Sequence, residues 1–334
     1  MIHSINRRFL LRGALGAAAV SQSPFSWAED KYPSGNMRVI VPTGQGGSAD
    51  RLARTFDDVW GPLLKTHFEY QFMAGAAGQV GYETYVGKMP HDGEHLLFGN
   101  MGPEMIMYAL QKPSYKFPQD YQYFCRLDVD DSIIFGSRKG KLQTLQQVLD
   151  ESKKRTLNVA VSRLPHPASI CLLALGKAIG GKFNLVPYGG GRPTSVAVLN
   201  GEVDIGSLPI AGVLVQSDTL KVLGIFNDEH KMGKHTDAPS VNKVAGTKIP
   251  ALPSSRSWAV HTEFIEKHPE QFALLEKTSR QVFDDPKYEQ AYAKTGAPVE
   301  TIAYGDRKLC TEYANHMVEL ANEYRGLLTA KKKK

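Results

Sequence analysis

The stretch that decides the fold is RVIVPTGQGGSADRLAR, residues 38–54, which predicts a strand, a glycine-rich bend and a helix in succession. The bend consists of small residues and ends in a serine that can cap the helix: Gly44, Gln45, Gly46, Gly47 and Ser48. Backbone N–H groups at a helix start lack partners within the helix, and glycines carry no side chain to obstruct them. We therefore interpret this bend as one wall of an anion-binding cleft.

A second unit of strand, bend and helix follows, and then a third strand and bend, with the strands predicted at 68–72 and 95–98. Their bends contain small or polar residues that can approach a ligand: Ala76, Ala77, Gly78 and Asn100. In open α/β sheets, ligands bind at the carboxyl edge of the strands. We therefore expect all three bends to gather at one edge of a sheet.

A second series of strands and helices begins at residue 132, with strands at 157–161 and 183–187. The loops that follow these two strands supply further candidates for ligand binding: Ser162, Arg163, Tyr188, Gly189, Gly190, Arg192 and Thr194. Strand and helix signals alternate through both series. This alternation predicts an α/β fold in two halves, each a mainly parallel sheet flanked by helices.

Arg163 and Arg192 are candidates for binding a second or third carboxylate, because a guanidinium group binds a carboxylate through two parallel hydrogen bonds. A solvated surface position remains the alternative for both. His166 stands between two prolines and is interpreted as a loop residue. Asp204 is interpreted as structural, because an acid repels an anionic ligand.

The chain of 334 residues is too long for a single hydrophobic core of ordinary size, and its length suits two domains. Its formal charge of +6 arises at the ends, from three arginines in the first 28 residues and four lysines at 331–334. The body between them is close to neutral, so nucleic acid is not an expected partner. The lysine tail is given no function.

Residues 1–28 predict an export signal, with arginines, an apolar stretch and small residues before a cleavage site at Glu29. The string NRRFLLR, residues 6–12, resembles a twin-arginine signal, and an ordinary general-secretion signal remains the alternative. No later stretch reaches the roughly 18 uninterrupted apolar residues of a membrane helix. The mature chain is therefore expected to be exported and soluble.

The three cysteines are far apart and show no C-x-x-C spacing, so they predict neither a zinc site nor a redox pair: Cys125, Cys171 and Cys310. Buried, unpaired thiols are expected, and the formation of one disulfide remains the alternative. The sequence contains no G-x-S-x-G, H-E-x-x-H or G-K-[ST] motif. A binding protein without metal or cofactor is therefore predicted rather than an enzyme.

Four motifs carry a resemblance to a known family: VPTGQGGSADRLAR at 41–54, MAGAAGQVGYETYVGKMPHDGEHLLFGN at 73–100, VPYGGGRPTSVAVLNGEVDIG at 186–206 and DAPSVNKVAG at 237–246. In order and spacing they resemble the periplasmic solute-binding proteins of tripartite tricarboxylate transporters, the TctC/Bug family. The resemblance covers nearly all of the mature chain. It implies a two-lobed type II periplasmic binding protein fold, with a ligand carboxylate between the lobes.

The resemblance also implies a domain division and a function. Residues 29–131 and 254–330 are expected to form lobe 1, and residues 132–253 lobe 2. A monomer in the periplasm would close its lobes on a small organic acid and deliver it to a membrane permease. An exported enzyme acting on a carboxylate and a ligand-binding partner of a sensor kinase remain alternatives. Dicarboxylates, tricarboxylates, aromatic acids and acidic amino acids all remain open as ligands.

Overall fold

The computed structural model describes residues 31–329. The predicted export signal at 1–28 and the lysine tail at 331–334 therefore lie outside the described residues. Within 31–329, no helix combines the length and the apolar character of a membrane-crossing segment.

Within this range the strands are, in chain order, β1 (Met37–Val41), β2 (Phe68–Phe72), β3 (His95–Asn100), β4 (Tyr121–Asp128), β5 (Ser132–Ser137), β6 (Leu157–Val161), β7 (Phe183–Pro187), β8 (Ile205–Pro209), β9 (Leu220–Ile225), β10 (Arg256–His261) and β11 (Ile302–Gly305). The helices are α1 (Ser48–Leu64), α2 (Gln79–Lys88), α3 (Met101–Gln111), α4 (Leu145–Lys154), α5 (Pro167–Ile179), α6 (Gly191–Leu199), α7 (Ile210–Leu214), α8 (Val241–Ala245), α9 (Thr262–Lys267), α10 (Pro269–Asp284), α11 (Pro286–Lys294), α12 (Arg307–Glu323) and α13 (Arg325–Thr329).

The strands form two sheets. The first has the order β11-β4-β10-β3-β1-β2, and the second has the order β7-β6-β8-β5-β9. In the first sheet β1 is parallel to β2 and β3, so that the bends after β1 and β3 lie at the same edge. In the second sheet β6 is parallel to β7 and β8, which likewise places the segments after β6 and β7 together.

Both sheets are mixed, although the sequence predicts mainly parallel ones. β10 is antiparallel to β3 and β4, and β5 is antiparallel to β8 and β9. The difference arises because β4, β8, β10 and β11 are not predicted as strands. Every residue of β10 is buried, and β4 is buried at six of its eight positions, so neither strand shows the alternation by which half-buried strands are recognised.

The chain crosses between the sheets twice, and the two crossing segments run side by side. Asp130 and Ser254 form an antiparallel bridge, with backbone N–H to carbonyl bonds of 2.8 and 2.9 Å in the two directions. The Ser132 hydroxyl also donates to the carbonyl oxygen of Leu252 at 2.7 Å. The two crossings are therefore coupled and form one connection between the halves.

Helix α1 packs one face against the first sheet, as its apolar spacing predicts. Leu52, Phe56 and Trp60 are buried there, and Trp60 lies against Trp258 of β10 with ring centroids 5.1 Å apart. Leu63 continues the apolar i, i+3, i+4 spacing of these residues, which predicts burial, but its side chain is exposed. The helix ends at Leu64, which faces the core in its place.

The three cysteines are buried and unpaired, which confirms the prediction of free thiols: Cys125, Cys171 and Cys310.

Candidate functional site

A cavity of about 250 Å³ lies between the two halves of the chain. One wall is formed by residues 46–49 and the other by segments around 191–195 and 208–212, while Ser254 and Arg256 of the second crossing contribute to the lining between them. This volume is on the order of that of eight water molecules at ~30 Å³ each, so the cavity can hold a small metabolite.

In the first bend, the N-terminus of α1 faces the cavity. Gly47 precedes the helix and Ser48 is its first residue, so Ser48 does not cap the helix as predicted. The N–H of Gly46 donates to Oδ2 of Asp50 at 2.8 Å, whereas among the described residues the N–H groups of Ser48 and Ala49 have no partner. Both residues line the cavity. This wall therefore presents unpaired donors and the positive end of a helix dipole.

In the second bend, α6 begins in the same way. Gly190 precedes the helix, and Gly191 and Arg192, its first two residues, line the cavity. Their N–H groups have no hydrogen-bond partner in the part of the chain that the structure describes. The Thr194 hydroxyl donates to the carbonyl oxygen of Gly190 at 2.7 Å, so this hydroxyl is not the ligand donor that the sequence suggests.

The two bends face each other across one crevice. A Cβ atom at Gly44 would lie 3.5 Å from the carbonyl oxygen of Gly189, and one at Gly190 would lie 3.6 Å from the nitrogen of Gly44. A Cβ atom at Gly46 would lie 3.1 Å from Nη1 of Arg192. A Cβ atom at Gly44 or Gly190 would thus make an ordinary van der Waals contact, which shows how closely the two backbone segments from opposite halves approach, and only Gly46 is crowded.

Arg163 follows β6 and extends across to the first half. Its Nη1 donates to the carbonyl oxygen of Ala77 at 2.8 Å, and its Nη2 donates to that of Pro42 at 3.3 Å. A Cβ atom at Gly78 would lie 3.0 Å from Nη1, so the glycine leaves room for the guanidinium group. The bend at 75–78 thus holds an arginine of the other half and does not line the cavity.

The same guanidinium group lies beside a buried acid, Glu104, with Nη1 3.4 Å from Oε1. Tyr82 donates to Oε2 of Glu104 at 2.6 Å, and the Asn100 amide donates to Oε1 at 3.3 Å. One N–H of the Asn100 amide is therefore engaged by Glu104, which leaves the other for a ligand. Burial raises the pKa of Glu104 to about 7, against the attraction of Arg163.

Arg256 and Ser254 of the second crossing present unsatisfied polar atoms. The Nη1 of Arg256 donates to Asp128 and to Oδ2 of Asp130, the latter at 3.0 Å. Its Nε and the Ser254 hydroxyl are buried without a hydrogen-bond partner among the residues described. Both residues line the cavity, but these two atoms are themselves enclosed by protein, so a ligand bonds to them only after a local rearrangement.

His166 is a cavity residue that the sequence interpretation missed. It is buried and precedes α5, where its Nδ1 accepts from the N–H of Ala168 at 3.0 Å, so the neutral ring carries its proton on Nε2. Burial, followed by the charges of Arg163 and Arg256, lowers its pKa to about 3. Pro167 at the first helical position is a sequence signal for this helix start, from which a capping role of His166 could have been inferred.

Arg51 is a second missed cavity residue. It lies in the first turn of α1, lines the cavity and is half-buried, and its Nη2 donates to the Ser48 hydroxyl at 3.3 Å. Burial is the largest influence on its pKa and lowers it. No local sequence signal distinguishes it from a solvated helix arginine.

The predicted site residues fall into two groups. Seven line the cavity: Gly46, Gly47, Ser48, Asn100, Ser162, Arg163 and Arg192. The others lie outside its lining: Gly44, Gln45, Ala76, Ala77, Gly78, Tyr188, Gly189, Gly190 and Thr194. Tyr188 instead donates to Glu202 at 3.3 Å, and Asp204 accepts two hydrogen bonds from Arg155 at 2.8 and 3.1 Å, which is the structural role predicted for it.

The chemistry of the lining suits non-covalent binding of an anion. Among the described residues, those that line the cavity include arginines but no aspartate or glutamate. Residues 31–329 contain no group of three potential metal ligands.

No protein-family model matches the chain. Protein BugT of Bordetella pertussis is 26% identical over 300 residues, which cover 88% of this chain and 90% of that protein. Among solved structures, the periplasmic binding protein BugD has a TM-score of 0.75 at 18% identity, and the match covers 89% of this chain and 98% of that one. MatC from Rhodopseudomonas palustris with bound malate has a TM-score of 0.72 at 20% identity, covering 89% and 100%. These similarities confirm the two-lobed α/β fold.

Proposed function

Because this chain is a TctC/Bug-type solute-binding protein and not an enzyme, we propose that it captures a small organic acid by closure of its two lobes. In this proposal the closed form delivers the acid to the permease of a tripartite tricarboxylate transporter. BugT is a relative in sequence, and BugD and malate-bound MatC are similar to this chain in fold.

The observation that carries the proposal is the meeting of two helix N-termini from opposite halves at one crevice. The unpaired N–H groups of Ser48 and Ala49 belong to one half, and those of Gly191 and Arg192 to the other. A carboxylate between them would accept hydrogen bonds from both halves at once. Because the open form cannot make both sets of contacts, binding favours closure.

The lobes of this proposal are residues 29–131 with 254–330, and residues 132–253. Sheet membership supports this division, since the second sheet takes its strands only from between Ser132 and Ile225. We further propose that the mature protein acts as a monomer in the periplasm after removal of the export signal.

The experiment is a thermal-shift screen of the mature protein with carboxylic acids, followed by calorimetric titration of each acid that raises the melting temperature. An acid at 100 times its Kd stabilises the native state by about 2.7 kcal/mol. The expected result is a large upward shift for at least one acid and a far weaker response to its amide or methyl ester.

Equal affinity for the acid and for its uncharged amide would contradict the proposal, because the unpaired N–H groups would then not be binding a charge. Conversion of a bound acid into a product would also contradict it, because a binding protein releases its ligand unchanged.

A further inference from the structure

We propose that the ligand carries two acidic groups and that Arg51 binds the second of them, while the facing bends hold the first. This inference rests on the proposed function and narrows its ligand class to dianions. Arg51 is absent from the candidates that the sequence suggests, and its role follows from where the fold places its guanidinium group.

The charges around the cavity do not balance without a ligand. Four guanidinium groups line it: Arg51, Arg163, Arg192 and Arg256. Three carboxyl groups that do not line the cavity pair with Arg163 and Arg256: Glu104, Asp128 and Asp130. With all three ionised, one positive charge remains, and protonation of Glu104, whose pKa is about 7, increases this excess; two helix N-termini at roughly +0.5 each add about one more. A ligand with two negative charges neutralises this excess, whereas a monoanion leaves about half of it.

Arg51 and Arg192 are the two lining arginines without a paired carboxylate, and the second carboxylate on Arg256 offsets one of their two charges in the count. The guanidinium group of Arg51 makes one hydrogen bond, to the Ser48 hydroxyl, and no ion pair with any described residue. Arg192 makes neither a side-chain hydrogen bond nor an ion pair within residues 31–329, and it is exposed. Arg51 is half-buried in the wall of the cavity, so water screens its charge less than that of Arg192.

Three other polar residues line the same cavity as Arg51, and two of them carry enclosed donors without partners. The Ser254 hydroxyl is 2% exposed and Nε of Arg256 belongs to a side chain that is 4% exposed, and neither atom has a partner among the described residues. His166 adds a neutral ring whose Nε2 carries the proton. These three residues line the cavity with Arg51, so a ligand that reaches them from the facing bends is bound at two places.

The test compares dicarboxylates with their monoamides, which have nearly the same shape and one charge less. Succinate and adipate would each be titrated by calorimetry against the corresponding monoamide, with wild type and Arg51→Gln. Wild type is expected to bind at least one dicarboxylate tenfold or more tightly than its monoamide. In Arg51→Gln this preference is expected to fall below threefold, because the second acidic group has lost its cation.

Two further variants separate charge from structure. Arg51→Lys keeps the positive charge and is expected to retain a preference between those of wild type and Arg51→Gln. Arg38→Gln removes an equally charged side chain at the far end of β1, which is 68% exposed, and is expected to keep the full preference. The melting temperature of each unliganded variant reports whether it is folded.

The outcomes distinguish this inference from the proposed function. If wild type binds carboxylic acids without preferring dianions, or if folded Arg51→Gln keeps the tenfold preference, the inference is wrong and the proposed function stands. If wild type binds none of the acids in the thermal-shift screen, both the inference about Arg51 and the proposed function are wrong.

Discussion

Glu104→Gln is expected to remove a pH dependence of stability that the wild-type chain shows between pH 4.5 and 7. The carboxyl group of Glu104 is 1% exposed, and the groups that face it are Arg163, Tyr82, Tyr123 and Asn100. Tyr82 and Tyr123 also share a short hydrogen bond. Glutamine has nearly the same shape as the protonated acid and cannot ionise, so it isolates the effect of the charge.

The magnitude follows from the two pKa values. Burial raises the pKa of Glu104 from 4.5 to about 7 in the folded chain, so the folded state binds this proton more tightly than the unfolded state. The stability provided by the protonated form is complete below pH 4.5 and is lost as the pH rises through 7. At 1.36 kcal/mol per pKa unit the whole loss is about 3 kcal/mol, of which about 2.5 kcal/mol falls between pH 5 and 8.

The assay is urea unfolding of wild type and Glu104→Gln at pH 5, 6, 7 and 8, with Glu83→Gln as the control. Glu83 is an exposed acid on α2 whose side chain accepts from Gln79 at 2.7 Å. The free energy of unfolding of wild type, relative to Glu104→Gln, should fall by about 2.5 kcal/mol across this range. The same difference measured against Glu83→Gln should stay constant. A difference from Glu104→Gln that is constant, or that rises with pH, would refute the reasoning.

Two further predictions concern the core. Gly93→Ala is expected to destabilise the chain by about 2 to 4 kcal/mol in urea unfolding, because Gly93 has a φ of 73° and a Cβ atom there would overlap the ring of Phe264. The control Gly180→Ala, with a φ of 71° and open space around it, should cost only about 1 kcal/mol, and equal costs would contradict the steric argument. The second prediction is that a thiol reagent at pH 8 modifies none of Cys125, Cys171 and Cys310 in the folded protein and all three after unfolding. Burial raises the pKa of each of these thiols, so little reactive thiolate is present in the folded chain. Rapid labelling of the folded chain would contradict this prediction.

The positions of the bends could be predicted from the sequence because their backbone requires glycine. Gly46 and Gly189 have φ values of 79° and 77°, in the left-handed region that other residues rarely adopt. Parallel neighbours then place the bends at one edge of each sheet, as the sequence argument expects. The conformational freedom of glycine and the rule that ligands bind at the carboxyl edge of parallel strands are therefore enough to predict where these bends lie.

Side-chain direction could not be predicted in the same way. Arg163 is a candidate ligand contact and lines the cavity, but its guanidinium group also donates to backbone carbonyls of the first half, whose positions depend on how the halves meet. Arg51 resembles any polar helix residue until the second crossing brings Arg256 into the same cavity. Contacts between segments some 200 residues apart have no local signal, and β10 itself lacks one because both of its faces are buried.

A growing chain that has just completed Ile225 already contains every strand of the second sheet, whereas the first sheet still lacks β10 and β11. β10 lies between β3 and β4, so these two strands keep unpaired edges until His261 has been synthesised. Truncation before Arg256 would therefore divide the first sheet in the middle rather than shorten it at a border. The half that begins the chain is thus the half whose sheet receives its last strand from the ribosome.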